Sequence, residues 1–279
     1  MTNPDVPADA IATMPRGGFN ASWLDRHLET EEPEYIDRDD APDEIKQEVI
    51  GMLDRLGSRM NVHGKDARTV LDTVSDIPSP RILELGAGHG KLSAKILDLH
   101  PSATATVTVS DRDPTSVANI AAGPLGTHPR ARTQVIDASA IDAADNSYDL
   151  VVFAQAFHHL PPGIAYRAIS EATRVGTRFL VIDLQRRTPL MLMLFKVVKP
   201  PLQLLLLLLP WPSLRYLFHD AYISALRAYS LSALTALARA ADPDMQVEFP
   251  PMPAGPGPQS FAALFSRPDP SAPTTAVSK

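Results

Sequence analysis

The sequence predicts an α/β fold: a doubly wound, mostly parallel sheet of seven strands. Three observations carry that expectation. Short apolar, β-rich runs at 81–85, 104–110, 133–137, 150–154 and 179–184 alternate with helical patterns at 90–100, 114–122 and 164–174. These strands are continuously apolar, as strands covered on both faces are. A glycine-rich turn joins the first of them directly to a helix. Right-handed crossovers then wind the chain onto both faces. A helix at 231–241 and two late runs at 245–249 and 260–265 complete the seven strands.

Ahead of the alternation, residues 1–35 are rich in Pro, Gly and polar groups, with few apolar anchors such as Phe19 and Trp23, and predict a flexible N-terminus. A helical segment at 36–78 follows. Within it Ile45, Val49, Leu53, Leu56 and Met60 recur at helical spacing, with Pro42 near the start. A second short helix is expected at 67–74, and Pro78 and Pro80 close the segment. The acidic stretch 29–48 reads as solvated surface. The main domain then runs over 79–266, with an insertion at 186–230, and the Pro/Ser/Thr-rich tail 267–279 reads as disordered.

The 279 residues are 44% hydrophobic and 21% charged, enough for one substantial core and a modest extra element. A net charge of −6 argues against general nucleic-acid affinity. The absence of cysteine excludes disulfides, thiolate metal sites and a cysteine nucleophile. No charged start followed by an apolar run is visible at the N-terminus, so a cytosolic location is the expectation. The apolar stretch 190–209 is interrupted by Lys196, Lys199, Pro200 and Pro201. A membrane span needs roughly 20 nearly uninterrupted apolar residues, so this one is not read as spanning. Peripheral membrane contact and a greasy wall around an apolar substrate both stay open.

The most informative segment is 82–93, ILELGAGHGKLS. Gly86 and Gly88 permit torsions that other residues resist and let a ligand approach the main chain. The helix behind them offers free N–H groups to an anion, outside the carboxyl ends of the strands. An anionic, nucleotide-like ligand is expected there. A dinucleotide fingerprint is disfavoured, because the third glycine comes one residue early at Gly90 and Lys91 takes its place; phosphate-loop spacing also fails.

Glu84-x-Gly86-x-Gly88-x-Gly90 resembles the first motif of class I S-adenosylmethionine-dependent methyltransferases, and later pieces are similar to that family in the same order over 81–184. The resemblance implies the Rossmann-like methyltransferase fold and S-adenosylmethionine as cofactor. It implies contacts from Glu84, Gly86, Ala87, Gly88 and Gly90. Asp111 would take the ribose hydroxyls, as a carboxylate accepting from a diol can, with Arg112 stacking on adenine. Asp137 and Ala138 would meet the adenine amino group, and Ala154 and Gln155 would lie beside the methionine part. Helix or turn capping by Asp111 and Asp137 is the alternative.

Methyl transfer from a sulfonium is an in-line displacement in which positioning supplies much of the rate. A base is needed only if the acceptor loses a proton, a task that suits histidine. His158 and His159 follow the fourth strand and are the candidate catalytic residues; simple packing is the alternative. The segment from His219 to Ser230 resembles one in bacterial small-molecule methyltransferases near polyketide-type biosynthetic genes, as does an acidic run like 34–43, although Ala221 stands where glycine is expected. On that basis Asp220, Tyr222, Arg227 and Tyr229 are candidate substrate residues, against an amphipathic helix with Asp–Arg surface pairs. Arg186, Arg187, Lys196 and Lys199 could alternatively steer a phosphorylated prenyl group. No clustered ligand set is visible, so no metal is expected.

The expected function is methylation, on oxygen or carbon, of a small and fairly apolar acceptor such as a polyketide, quinone-like ring or isoprenoid. A catalytically silent cofactor-binding scaffold is the rival. A protein or nucleic-acid methyltransferase is disfavoured by the charge and by Ala154-Gln155-Ala156-Phe157 standing where an Asn-Pro-Pro-Tyr-type motif would be. The oligomeric state stays open.

Overall fold

The computed structural model describes residues 8–38, 40–100, 104–206, 213–253 and 259–268. Its centre is a seven-stranded sheet in the order β3-β2-β1-β4-β5-β7-β6, with β1 at Arg81–Leu85, β2 at Thr106–Asp111, β3 at Ala131–Val135, β4 at Leu150–Ala154, β5 at Phe179–Leu184, β6 at Gln246–Glu248 and β7 at Ser260–Ser266. The first five strands are parallel; β7 runs antiparallel to β5, and β6 antiparallel to β7. This is the doubly wound, mostly parallel sheet that the sequence predicts. Strand order reverses between β1 and β4, which opens a crevice over their carboxyl ends.

The apolar strands supply two cores at once. Leu83, Leu85, Val151, Phe153, Phe179 and Val181 face one side, against α7 (Pro162–Val175), α10 (Leu231–Ala241) and α1 (Ala8–Ala12). Ile82, Val107, Val109, Leu150, Val152, Leu180 and Ile182 face the other, against α4 (Val62–Thr73) and α5 (Lys91–Leu99). Alternate residues of one strand point to opposite faces, so two-sided burial leaves no polar alternation. The edge strand β3 is half exposed and begins two residues earlier than expected. Its register ends at Asp111↔Val135, because Asp137 turns away to accept from Ser139 and bridge to Ala140.

Two expectations for the flanking segments are corrected. Residues 8–38 are not loosely attached: Ile11, Met14 and Leu28 are buried, and α1 packs on α7. α2 (Trp23–His27) is capped by Ser22. Arg16, 1% exposed, donates from Nη1 to the carbonyls of His158 (2.8 Å) and Arg227 (2.7 Å). The acidic stretch is likewise only partly solvated, since Glu34 is buried. α3 (Asp43–Arg59) follows the expected helical spacing. α4 starts at Val62, well before residue 67, because Asn61 takes a left-handed conformation (φ +53°) that ends one helix and starts the next. α6 (Pro114–Ala122) is as expected.

The insertion folds into α8 (Pro189–Leu206) and α9 (Ser213–Arg227). α9 lies over the strand ends, against α3 and the 3-10 turn Phe157–His159. α8 sits outside it, with Leu192 buried but Leu190, Leu194, Val197 and Leu204 exposed. The idea of 190–209 as a wall around a substrate is therefore corrected for its described part: much of its apolar surface faces outward. Residues 207–212, and 269–279 of the tail, lie outside the described residues. Among those described, no helix is long and apolar enough to cross a membrane.

Arg16→Ala leaves two buried carbonyls without their donor, at roughly 1–3 kcal/mol each. The expected result is a loss of a few kcal/mol in urea unfolding and faster proteolysis within 8–38; unchanged stability and protection would show that Arg16 does not anchor the segment.

Candidate functional site

The turn leaving β1 holds three left-handed glycines, Gly86 (φ +63°), Gly88 (+55°) and Gly90 (+70°). Close packing adds to the torsional demand at two of them. A Cβ on Gly86 would meet the Phe153 ring at 2.6 Å, and one on Gly90 would meet Leu125 at 2.6 Å. At Gly88 the nearest atom is Ile50 Cγ2 at 3.5 Å, so the surface there is a shallow cradle under α3. The Ala87 N–H donates to the Ser110 carbonyl, tying the turn to β2.

Asp111 ends β2 beside this turn. Its Oδ2 accepts the Gly88 N–H (2.9 Å) and its Oδ1 the Asp113 N–H (2.9 Å). The helix-cap alternative for Asp111 is resolved, because Asp113 caps α6 by accepting from the N–H groups of Thr115 and Ser116. Asp137 does make the local turn, accepting from the N–H and Oγ of Ser139. Its Oδ2 also stands 3.9 Å from the Nε of the exposed Arg112, and Ala138 packs at the edge of the core. Across the crevice, Ala154 ends β4. Gln155 takes a left-handed conformation (φ +58°) that is costly for a non-glycine residue and recurs at functional sites. Its N–H donates to Ile182 and its Nε2 to Asp66 Oδ2 (3.2 Å).

Glu84 requires a correction. It is 3% exposed, and its Oε2 accepts the Ser93 N–H (3.0 Å) and the Ser93 hydroxyl. It braces β1 against α5 from behind and does not reach the crevice. His89, which the sequence reading missed, fixes α3 over the turn: Nδ1 meets Asp54 (2.7 Å) and Nε2 meets Gln47 (2.9 Å). A cleft of about 570 Å³ opens between Gln47, Asp54 and Arg55 of α3, His89 of the turn and Lys91 at the start of α5.

His158 and His159 do lie at the mouth of the sheet, but in unexpected company. Asp183 at the end of β5 accepts from the His158 backbone N–H (2.7 Å) and pairs with His158 Nδ1 (2.8 Å). Glu34 reaches in from the N-terminal segment, its Oε1 3.3 Å from His158 Nε2. That contact lacks hydrogen-bond alignment, so Nε2 is buried without a partner. Burial alone would lower the ring's pKa, yet the carboxylates of Asp183 and Glu34 push it up to about 10. Enclosed between Asp183 and Glu34 and only 4% exposed, His158 has little open face toward an acceptor, which counts against the general-base role expected for it. His159 Nδ1 pairs with Asp37 Oδ2 (2.7 Å), and its Nε2 stands 3.7 Å from Glu34 Oε2.

The four candidate substrate residues belong mainly to the same junction. Asp220 accepts the Tyr35 N–H (2.9 Å) and pairs with His219. Arg227 donates to Asp37 (3.1 Å) and to the His159 carbonyl. Tyr229 is 2% exposed and gives its hydroxyl to the Leu160 carbonyl (2.7 Å), so it is a core residue facing no ligand. Tyr222 is partly exposed, with Lys199 over its ring at 4.1 Å. Asp220 and Arg227 thus clasp the N-terminal segment to α9 instead of pairing on a surface.

The family model described as a methyltransferase domain matches residues 82–177, which contain the turn, Asp111, Asp137 and Gln155. This segment is a class I S-adenosylmethionine-dependent methyltransferase domain. S-Adenosylmethionine is its cofactor. No curated protein matches the chain in sequence. Among solved structures, a SAM-dependent methyltransferase from Aquifex aeolicus superposes with a TM-score of 0.52 at 15% identity, over 78% of this chain and 97% of that one. Magnesium protoporphyrin IX methyltransferase from Synechocystis PCC 6803, with SAH bound, gives 0.50 at 17% identity over 74% and 84%. A Rhodobacter sphaeroides protein provisionally named a Zn-dependent alcohol dehydrogenase gives 0.52 at 14% over 74% and 98%. These likenesses show the fold alone, and the matched domain carries the chemistry.

Two buried acids flank the methyltransferase crevice. Burial pushes Glu84 up to about 7 and Asp66 up to about 7. A carboxyl whose folded pKa is raised binds its proton more tightly when folded. Its stabilising contribution is complete below the unfolded value near 4 and is lost as pH rises through about 7. Thermal stability is therefore expected to fall between about pH 4 and pH 7, by up to about 3 kcal/mol per acid, and the Asp66→Asn/Glu84→Gln variant should flatten that slope. An equally steep slope in the variant would refute the assignment.

Proposed function

We propose that this chain transfers the methyl group of S-adenosylmethionine to an oxygen or carbon of a small, fairly apolar acceptor. The observation that carries the site assignment is the Asp111–Gly88 contact. It joins a carboxylate at the end of β2 to the left-handed turn after β1, beside the point where strand order reverses. The residues fit the cofactor: Gly86, Ala87, Gly88 and Gly90 form a main-chain cradle with room over Gly88, and Asp111 is already oriented by two N–H donors. When bound, the cofactor supplies an electrophilic methyl group on a sulfonium.

In this reading Asp111 clasps the ribose hydroxyls, Arg112, Asp137 and Ala138 border the adenine, and Ala154 and Gln155 lie along the amino-acid end. Glu84 supports the turn from behind. Residues 79–266 form the catalytic unit, and 186–230 covers its acceptor side. The exposed apolar face of α8, with Lys196 and Lys199 on the same helix, favours a lipophilic acceptor met at or near a membrane surface. Of the two histidines, His159 keeps the greater exposure, 14%, and is the candidate base as long as its Nε2 holds no ion.

Calorimetry with S-adenosylhomocysteine tests the site: Asp111→Ala is expected to weaken binding more than ten-fold, and equal binding would remove the ribose assignment. A labelled-methyl screen over phenolic, quinone-like and isoprenoid acceptors tests the reaction. Cofactor binding with neither methylated product nor cofactor turnover would favour the silent scaffold.

A further inference from the structure

We propose that Glu34, His158 and His159 form a binding site for a first-row divalent transition-metal ion, of the Zn(II) or Fe(II) class, that locks the N-terminal segment onto the ends of β4 and β5. One ligand atom from each residue lies within 4.8 Å of the others. Two ligands about 2.1 Å from a tetrahedral ion stand about 3.4 Å apart. Each ring nitrogen stands near that distance from a different oxygen of the same carboxylate, 3.3 Å from Glu34 Oε1 to His158 Nε2 and 3.7 Å from Glu34 Oε2 to His159 Nε2, so Glu34 would meet the ion through both oxygens.

The surroundings are those of ligands, beyond simple proximity. Each imidazole turns Nδ1 to a carboxylate, His158 to Asp183 and His159 to Asp37. Such a partner fixes the tautomer with the proton on Nδ1 and leaves the Nε2 lone pair for a metal, the usual carboxylate–histidine–metal arrangement. Both Nε2 atoms then face one carboxylate. His158 is 4% exposed and its Nε2 has no hydrogen-bond partner, an orphan aimed into the site. Among the described residues, the carboxylates of Glu34, Asp37 and Asp183 meet the two rings, and Arg227 is shared on Asp37. Arg16 donates to the carbonyls of His158 and Arg227 and not to these acids. A divalent ion supplies the missing positive charge without a proton on either Nε2. Two imidazoles and a carboxylate suit Zn(II) or Fe(II) and exclude the hard, oxygen-only preference of Mg(II) and Ca(II). The Ser224 hydroxyl donates to Glu34 Oε1 (2.8 Å), orienting the carboxylate and adding α9 to the same junction.

The test uses the full chain after dialysis against a chelator. Calorimetric titration with Zn(II), and with Fe(II) under anaerobic conditions, is expected to show saturable uptake of one ion per chain and a raised Tm. The tighter of the two names the metal. Glu34→Gln and His159→Ala, confirmed folded by circular dichroism, should each weaken uptake at least ten-fold. No saturable uptake by the parent protein would overturn the proposal, as would undiminished uptake by either variant. Should a variant fail to fold, long-range proton–nitrogen NMR of the parent decides. Zn(II) is expected to shift Nε2 of two histidines to metal-bound values while Nδ1 stays protonated, and unmoved ring signals would overturn the site.

Discussion

The structure depends first on the turn that leaves β1. Three left-handed residues in five carry the chain from the central strand into α5, and the packing of Gly86 against Phe153 and Gly90 against Leu125 fixes the turn to β4 on one side and to the 3-10 turn Pro124–Thr127 after α6 on the other. Side chains at those two positions would push the turn off the sheet. With the turn in place, Ser110 and Asp111 of β2 reach it by hydrogen bonds, and His89 ties it to α3. The cradle, the carboxylate beside it and the helix above it all follow from that one constraint.

A second dependence is electrostatic. Burying Glu34, Asp183 and His158 together carries a desolvation penalty of several kcal/mol per ion, and only close pairing with good geometry offsets it. The chain meets that condition by drawing partners from four separated places: the N-terminal segment, the turn after β4, the end of β5 and α9. The consequence is a junction that specifies where residues 8–38 lie far more narrowly than their few apolar side chains could. It also means that α9 is held by the polar contacts of Asp220 and Arg227 in addition to its buried Ile223 and Leu226.

Much of the sheet was legible in advance because parallel strands covered on both faces are written as uninterrupted apolar runs; β1, β4 and β5, and the helices α6 and α10, begin and end at the expected residues. β3 slid because an exposed edge strand carries little apolar signal and its register comes from its partner. The glycine turn and Asp111 were readable because torsional demand and strand-end position are local properties. One signal stood in the sequence unread: Asp183 is a lone acid in the apolar run Phe179–Leu184, and such a residue seldom survives inside a strand without a partner.

The sequence by itself determined the α/β class, the glycine turn and the position of an acid at the end of β2, because each rests on periodicity or on residues within a few positions of one another. Only the tertiary structure decided that Glu34 meets two histidines more than a hundred residues later, that Glu84 faces Ser93 and not the crevice, and that Tyr229 belongs to the core. Charged side chains carry no period that names their partner. Their pairing is settled by which strand ends and helices the packed sheet brings together, after the apolar pattern has already chosen the fold.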